Sequence, residues 1–308
     1  MPGFTHLHTV SGFSMRYGGS HPERLAERAA DRGMDALALT DRDTLAGAVR
    51  FAKACEKAGI RPLFGVDLAV SPATGQAGPA GPAVPGGFAG PGGSGGFGGS
   101  GVSGGSGGSG EASYRRRTPV VGGAFVDESA PRVTFLARDG AAGWAELCRM
   151  VTAAHAAAGG GPPVLPRTEL RGEGVYVLLG PGSEVGRALA AGRPDRAARL
   201  LAPWREVYGD SLRLEAVDHG RTGTGPGSLR LAARTVGFAA EQGVPAVLTN
   251  AVRYADPGQG PVADVLDAAR RLVPVDPRRL DGGERWLKDP GAMAEAADRI
   301  CRAAGLGP

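Results

Sequence analysis

A chain of 308 residues, 42% of them hydrophobic, has the length for one large α/β domain or two small ones and the apolar material for a real core. Its formal charge of +4 permits weak contact with a polyanion but is too mild to argue for a dedicated DNA-binding domain. The three cysteines, Cys55, Cys148 and Cys301, are far apart and form no C-x-x-C pair, which argues against a zinc knuckle or a disulfide framework and suits small apolar core residues in a reducing cytosol.

Of the 35 basic residues only Lys53, Lys57 and Lys288 are lysines. The opening MPGFTHLHTV has no charged region followed by an apolar one, and no apolar run approaches the length of a membrane span, so a cytoplasmic protein without membrane contact is expected.

In chain order, Phe4 to Val10 is a short strand candidate with histidines at alternating positions. A helix follows, with Ser20 as N-cap, Pro22 in the first turn and Glu23 three residues after the serine, closed by Gly33. The apolar run Ala36 to Leu39 predicts a buried strand ending in Thr40 and Asp41. A helix is expected from about Leu45 to Ala58, stopped by Gly59, and a strand from Pro62 to Val70. Helices alternating with short apolar strands imply parallel strands in an α/β barrel or a doubly wound sheet.

The pattern breaks at residues 72–117, nearly all Gly, Pro, Ala and Ser up to about Gly110 and then running into Arg115, Arg116 and Arg117. That composition buries too little apolar surface to offset its ordering entropy, so a disordered insertion is expected. It lacks the direct strand-to-helix join and the Lys-Ser or Lys-Thr pair of a phosphate loop. Beyond it the alternation resumes: strands at Val133–Ala137, Val175–Leu179, Leu212–Val217 and Val244–Thr249, with helices near 143–157, 184–191, 196–208, 228–242, 262–272 and 291–304. One domain, residues 1–308, with a loop expanded inside it, explains this better than two domains and a linker.

The strongest chemical feature is His6-Leu7-His8. On a strand, residues two apart share a face, so both imidazoles could reach one cation, which suits zinc or another nitrogen-favouring divalent metal. His155 and His219 stand alone, and Glu215 and Asp218 read as surface groups near the turn at Gly220.

FTHLHTVSGFS, followed by ALALTDRDTLAGAVRFAKACEKAGIRPLFGVDLAV, resembles the opening of bacterial DNA polymerase III alpha subunits element by element. The shared elements are a His-x-His strand, a Ser-x-x-Ser segment, a helix, a strand ending in Thr-Asp, a helix and a strand ending in Gly-x-carboxylate. VTFLARDGAAGWAELCRMVTAAH, SLRLEAVDHG and VPAVLTNAVRY continue the likeness, which spans nearly all of the chain outside the glycine-rich stretch. The family is the N-terminal PHP (polymerase-and-histidinol-phosphatase) domain. The resemblance implies a distorted seven-stranded (β/α) barrel. It also implies a trinuclear metal cluster at the C-terminal mouth that activates water for phosphoester hydrolysis.

This sequence departs from the pattern at most ligand positions. His6 and His8 match, and Asp67 stands for a glutamate. Tyr17 occupies the place of an aspartate, Arg42 and Arg132 those of histidines, and Pro181 falls nearest a Cys or His ligand. The last motif, expected to supply Asp and His, reads Asn250-Ala251-Val252-Arg253-Tyr254. Arginine offers no lone pair and repels a divalent ion. Arg42, Arg132 and Arg253, around a pocket with Asp41 and Asp67, are therefore expected to replace metals by charge-paired hydrogen bonds. His6, His8 and Asp67 remain as a vestigial set for at most one Zn or Mn ion.

Three functions follow from this reading. One is an inactive structural module of a replicative or error-prone polymerase, with the other polymerase domains and a proofreading exonuclease subunit as partners and DNA met only indirectly. The others are a metal-dependent phosphoesterase or 3′–5′ exonuclease with a reduced site, and a phosphate- or nucleotide-binding module. The polymerase palm follows the PHP domain in that family, so the resemblance implies no polymerase chemistry for these residues alone.

Overall fold

The structure, a computed structural model, describes residues 3–73 and 129–306. Apart from Pro72 and Ala73, the insertion read at 72–117 lies outside the described residues, as do Arg115 to Arg117.

Six strands form one sheet in chain order: β1 (Ala36–Leu39), β2 (Arg61–Ala69), β3 (Arg132–Ala137), β4 (Val175–Leu179), β5 (Leu212–Val217) and β6 (Ala246–Thr249). Among the described residues eight helices surround it: α1 (Pro22–Asp31), α2 (Ala48–Ala58), α3 (Gly140–Ala156), α4 (Glu184–Ala190), α5 (Pro194–Tyr208), α6 (Leu229–Gln242), α7 (Gly260–Arg271) and α8 (Pro290–Ala303). The expectation of parallel strands holds for β1–β2, β4–β5 and β5–β6, but β3 runs antiparallel to both β2 and β4. The reversal has a consequence for chemistry. The first residue of β3, Arg132, sits opposite Ala69 at the C-terminal end of β2, at the same mouth as the ends of the other strands.

Seven strands were expected, and among the described residues six are found. The segment Phe4 to Val10 is not a strand, because a bend at Leu7 breaks its extended run. It still lies between the two ends of the sheet. Ala38 N donates to His6 O and Thr40 N to Thr9 O on one side, at 2.9 and 2.7 Å. On the other side Val10 N donates to Val252 O and Val252 N to His8 O, at 3.0 and 2.9 Å. Inside the curl, Ala38, Leu136 and Leu178 pack with Leu7, Leu63, Tyr176 and Val247. Side chains from five strands thus fill the barrel floor as a packed layer.

The largest core lies outside the sheet, where Val66, Phe135, Val177 and Leu214 meet Leu147, Trp204 and Phe238 of α3, α5 and α6. A second cluster packs α1 and α2 on β1 through Leu25, Ala29, Phe51 and Cys55. The glycine stop of α2 is observed: Gly59 takes φ +72° and its N–H bonds back to the helix, a left-handed cap that a Cβ would strain. The cap read for α1 is not. His21 holds the N-cap position without a side-chain bond. The Ser20 hydroxyl instead accepts the Ala255 N–H at 2.9 Å, tying the entry of α1 to the chain after β6. No described helix is long and apolar enough to cross a membrane.

Candidate functional site

At the mouth lies a cavity of about 600 Å³, lined by side chains from the ends of the strands, the loop at Tyr17, and the region from α7 to Arg285. Ten arginines and four carboxylates line it, with His8, Tyr17 and His219. Its floor is a set of cations locked onto acids.

Asp67 is placed by the backbone. Its N–H donates to Asp41 O at 3.1 Å and its carbonyl accepts the Asp43 N–H at 3.0 Å, which brings Arg42 alongside. Its carboxylate then meets Arg42 Nε at 3.2 Å and Arg132 Nε at 3.1 Å. Arg132 reaches on to Asp43 Oδ1, 3.1 Å away, and donates to the Asp67 carbonyl. Burial alone would raise the Asp67 pKa, but Arg132, Arg42 and His8 outweigh it and hold the carboxyl below its ordinary range.

Arg253 is the second lock and is 1% exposed. It donates to Asp267 at 3.0 Å through each of two nitrogens, to Asp281 at 3.2 Å, and to the Tyr17 carbonyl at 2.9 and 3.1 Å. A fork of five donors is the group that can serve three acceptors at once. Asp281 also accepts the Tyr254 hydroxyl at 2.6 Å.

Tyr17 lies among four guanidinium groups. Arg42 stacks 3.4 Å from its ring centre and Arg253 4.0 Å, with Arg270 and Arg285 at 5.4 and 5.6 Å. Arg285 also donates to the phenol oxygen at 2.8 Å. Burial would raise the phenol pKa, yet Arg285, Arg42 and Arg253 bring it from 10 down to about 7. Tyr208 and Tyr254, which lack such company, are pushed up by burial. A spectrophotometric titration is therefore expected to show one tyrosine ionising near pH 7, a phase that Tyr17→Phe removes. No ionisation below pH 9 would contradict it. Because the folded pKa lies below the unfolded one, this group adds stability as pH rises from about 7 to 10, and that stability is lost as pH falls through about 7.

His8 and His6 part company at the bend. The His8 ring bonds through Nδ1 to Glu215 Oε1 at 2.7 Å, and the same oxygen accepts the Thr249 hydroxyl at 2.5 Å. Burial would lower the His8 pKa, but Glu215 overrides it and Asp67 assists, so the imidazole is held above 6.5. His6 turns instead to the Lys288 carbonyl, 2.8 Å from Nε2, and its Nδ1 is buried with no hydrogen-bond partner. Burial lowers its pKa to about 4, so it is neutral.

The residues singled out by sequence are thus sorted. His8, Arg42, Asp67, Arg132 and Arg253 come together around the cavity with Tyr17 and Pro181, and His6 and Asp41 lie outside its lining. Asp41 is enclosed by the Ser-x-x-Ser segment: it accepts Ser11 N at 2.6 Å, Ser11 Oγ at 2.8 Å and Ser14 Oγ at 2.7 Å. It is a buried brace for the loop that carries Tyr17. Glu215 and Asp218, read as surface groups, are 2% and 4% exposed. The end of β5 turns Glu215 into the polar mouth, and Asp218 accepts the Gly220 N–H and faces Arg299. Asp43, Asp267, Asp281 and Arg285 carried no signal, since their partners are distant in sequence. Gly180 is required by the same packing, because a Cβ there would collide with Glu215 Oε2.

A metal cluster needs several unprotonated donors converging on one point. Among the described residues no three His, Cys, Asp or Glu do so. Asp67 Oδ2 is taken by two guanidiniums, His8 Nδ1 by Glu215, and His6 faces the Lys288 carbonyl. As arranged, these residues do not fit the cluster.

Comparison with known proteins identifies the family. The sequence pattern of the PHP domain matches residues 6–219. The error-prone DNA polymerase of Mycobacterium tuberculosis (strain H37Rv) is 31% identical over 97% of this chain and 23% of its own length. The DNA polymerase III subunit alpha of Xylella fastidiosa (strain Temecula1) is 27% identical over 92% of this chain and 20% of its own. The chain thus spans about a fifth to a quarter of the length of the curated relatives it matches. Among solved structures, an amidohydrolase from Chromobacterium violaceum aligns at a TM-score of 0.43 and 16% identity, covering 80% of this chain and 86% of that one. The chain belongs to the PHP domain family, matched across the stretch that carries His6, His8, Asp41, Arg42, Asp67 and Arg132.

Proposed function

We propose that this chain is the PHP module of a DNA polymerase III alpha-like or error-prone polymerase, and that it has exchanged metal-dependent hydrolysis for a structural and interaction role. One observation carries the reading. Arginines satisfy the carboxylates of the mouth, with Arg42 and Arg132 on Asp67 and Arg253 on Asp267 and Asp281. Fixed cations neutralise the charge that divalent ions would otherwise balance, but they supply no activated water. In this role the locked mouth is a rigid end of the barrel. The remaining polymerase domains, and a proofreading exonuclease subunit, are the partners in this reading. The relatives' greater length supports the first of these.

The test is hydrolysis of a chromogenic phosphodiester by the purified chain with zinc or manganese added. No turnover above buffer is expected, and His6→Ala is expected to change nothing in the assay. Metal-stimulated turnover abolished by His6→Ala would refute the exchange and restore a phosphoesterase or 3′–5′ exonuclease.

A further inference from the structure

Helix α7 has two unlike faces. The inner face belongs to the mouth: Ala263 is buried, and Asp267 accepts Arg253 and Arg270 at 3.0 and 2.7 Å. The outer face is apolar and open to solvent. Val262, Val265, Ala269 and Leu272 are all exposed, and their steps of three, four and three residues are the a and d spacing of a coiled-coil seam. Leu272 caps the helix, and the Val273 N–H returns to the Ala268 carbonyl at 3.1 Å, so apolar side chains continue over the last turn. Of the eleven large hydrophobic side chains exposed among the described residues, six lie between Val262 and Leu280. Exposed apolar groups scattered singly mean little, but such a concentration marks an interaction surface. The charge beside the stripe has one sign. The run from Arg271 to Leu280 is exposed throughout and holds three arginines, Arg271, Arg278 and Arg279, to one carboxylate, Asp276. Asp276 lies 3.8 Å from Arg279 and accepts the Arg278 backbone N–H. Even apart from Arg271, the two guanidiniums outnumber it.

We propose that the outer face of α7 and the turn after it dock a helix of a partner protein, one with apolar residues at a and d spacing and glutamate or aspartate beside them. The spacing selects a helix, because only a chain of the same period keeps side chains over Val262, Val265, Ala269 and Leu272 along the whole stripe. A strand, with its period of two, would fall out of step after one contact. The charge selects the acidic flanks, since Arg278 and Arg279 attract carboxylates and repel lysines. On the inner face, the bonds from Asp267 to Arg253 and Arg270 hold α7 against the barrel, so the stripe is offered preformed and docking costs little ordering. The stripe stands apart from the residues that decide hydrolysis, and losing it as a docking face would leave the exchange of metal chemistry untouched.

The experiment is a fluorescence anisotropy titration of a labelled synthetic helix with the full chain. The probe carries leucine at a and d, glutamate at e and g and alanine elsewhere over about four heptads. A counterpart carries lysine in place of glutamate. Saturable binding of the acidic probe is expected, about tenfold tighter than that of the lysine counterpart and weaker as salt rises. Val265→Asp, which sets a charge in the middle of the stripe, should weaken it about tenfold or more. The same variant should leave the melting temperature unchanged, because Val265 is 59% exposed. Arg278→Gln and Arg279→Gln, both at exposed positions, should each weaken binding about two- to fivefold. No saturation, equal binding of the two probes, or wild-type affinity in Val265→Asp would overturn the proposal. Sedimentation velocity of the chain alone tests the other occupant. A monomer is expected; a dimer that Val265→Asp dissolves would place a second copy of the chain on the stripe and overturn the acidic partner.

Discussion

Replacing Arg253 with alanine is expected to destabilise the fold by about 3–5 kcal/mol, the usual cost of stripping one partner from a buried ion pair. Arg253 is 1% exposed and joins Asp267, Asp281 and the Tyr17 carbonyl, which belong to α7, the segment before α8 and the loop before α1. Its removal leaves Asp281 buried, with Tyr254 and a distant Arg285 as its other partners. It also frees the loop that holds Tyr17. For a domain of this size the loss should lower the melting temperature by roughly 10 °C. Arg253→Lys should recover little of it, because an ammonium is a compact point charge and cannot span acceptors on three elements. Urea unfolding checks both variants. A midpoint within error of the wild type would show that the carboxylates find other partners.

Asp67→Ala should be of similar size, about 3–5 kcal/mol, for the opposite reason. It removes the anion between two cations. Arg132 keeps Asp43, at 3.1 Å, whereas Arg42, stacked on the Tyr17 ring, loses the anion that stands between it and Arg132. The two variants should differ in their response to salt. Added chloride screens the exposed approach to the mouth, so part of the Asp67→Ala loss should be recovered in high salt. A stacked cation contributes about 0.5–2 kcal/mol, too little for Tyr17 to replace a carboxylate. Asp67→Asn, which keeps an acceptor oxygen but no charge, should fall between. If Asp67→Asn matched the wild type in urea, the charge of Asp67 would not be what holds Arg42 and Arg132.

Much of the fold was legible because it is local. The strands Val175–Leu179 and Leu212–Val217 fall where short apolar runs placed them, and Gly59 ends α2 where a left-handed residue was needed. The direction of β3 was not legible. It is set by the connection from β2, and no periodicity in Val133 to Ala137 reports which way the chain returns. Nor was the bend at Leu7, which turns the first expected strand into a strap and separates two histidines that a regular strand would have put on one face.

The site divides in the same way. The cations at 42, 132 and 253 could be found from the motifs they interrupt. Their partners could not. Arg132 finds Asp43 from 89 residues away and Arg253 finds Asp281 from 28, pairings that only the closed barrel creates. Glu215 misleads for a physical reason: in Leu-Arg-Leu-Glu-Ala-Val a lone acid looks solvent-facing, whereas in a barrel strand the interior of the mouth is polar too. Tyr17 was noticed as a missing aspartate, but its four guanidinium neighbours come from four other stretches of chain.

The most direct measurement is equilibrium dialysis of the purified chain against zinc and against manganese, followed by elemental analysis per chain. Arginines in place of metals predict well under one ion bound per chain, with no change on His8→Ala. Two or three ions per chain, lost in His8→Ala and in Asp67→Ala, would contradict it, since that stoichiometry requires the guanidiniums to leave the carboxylates they hold in this structure.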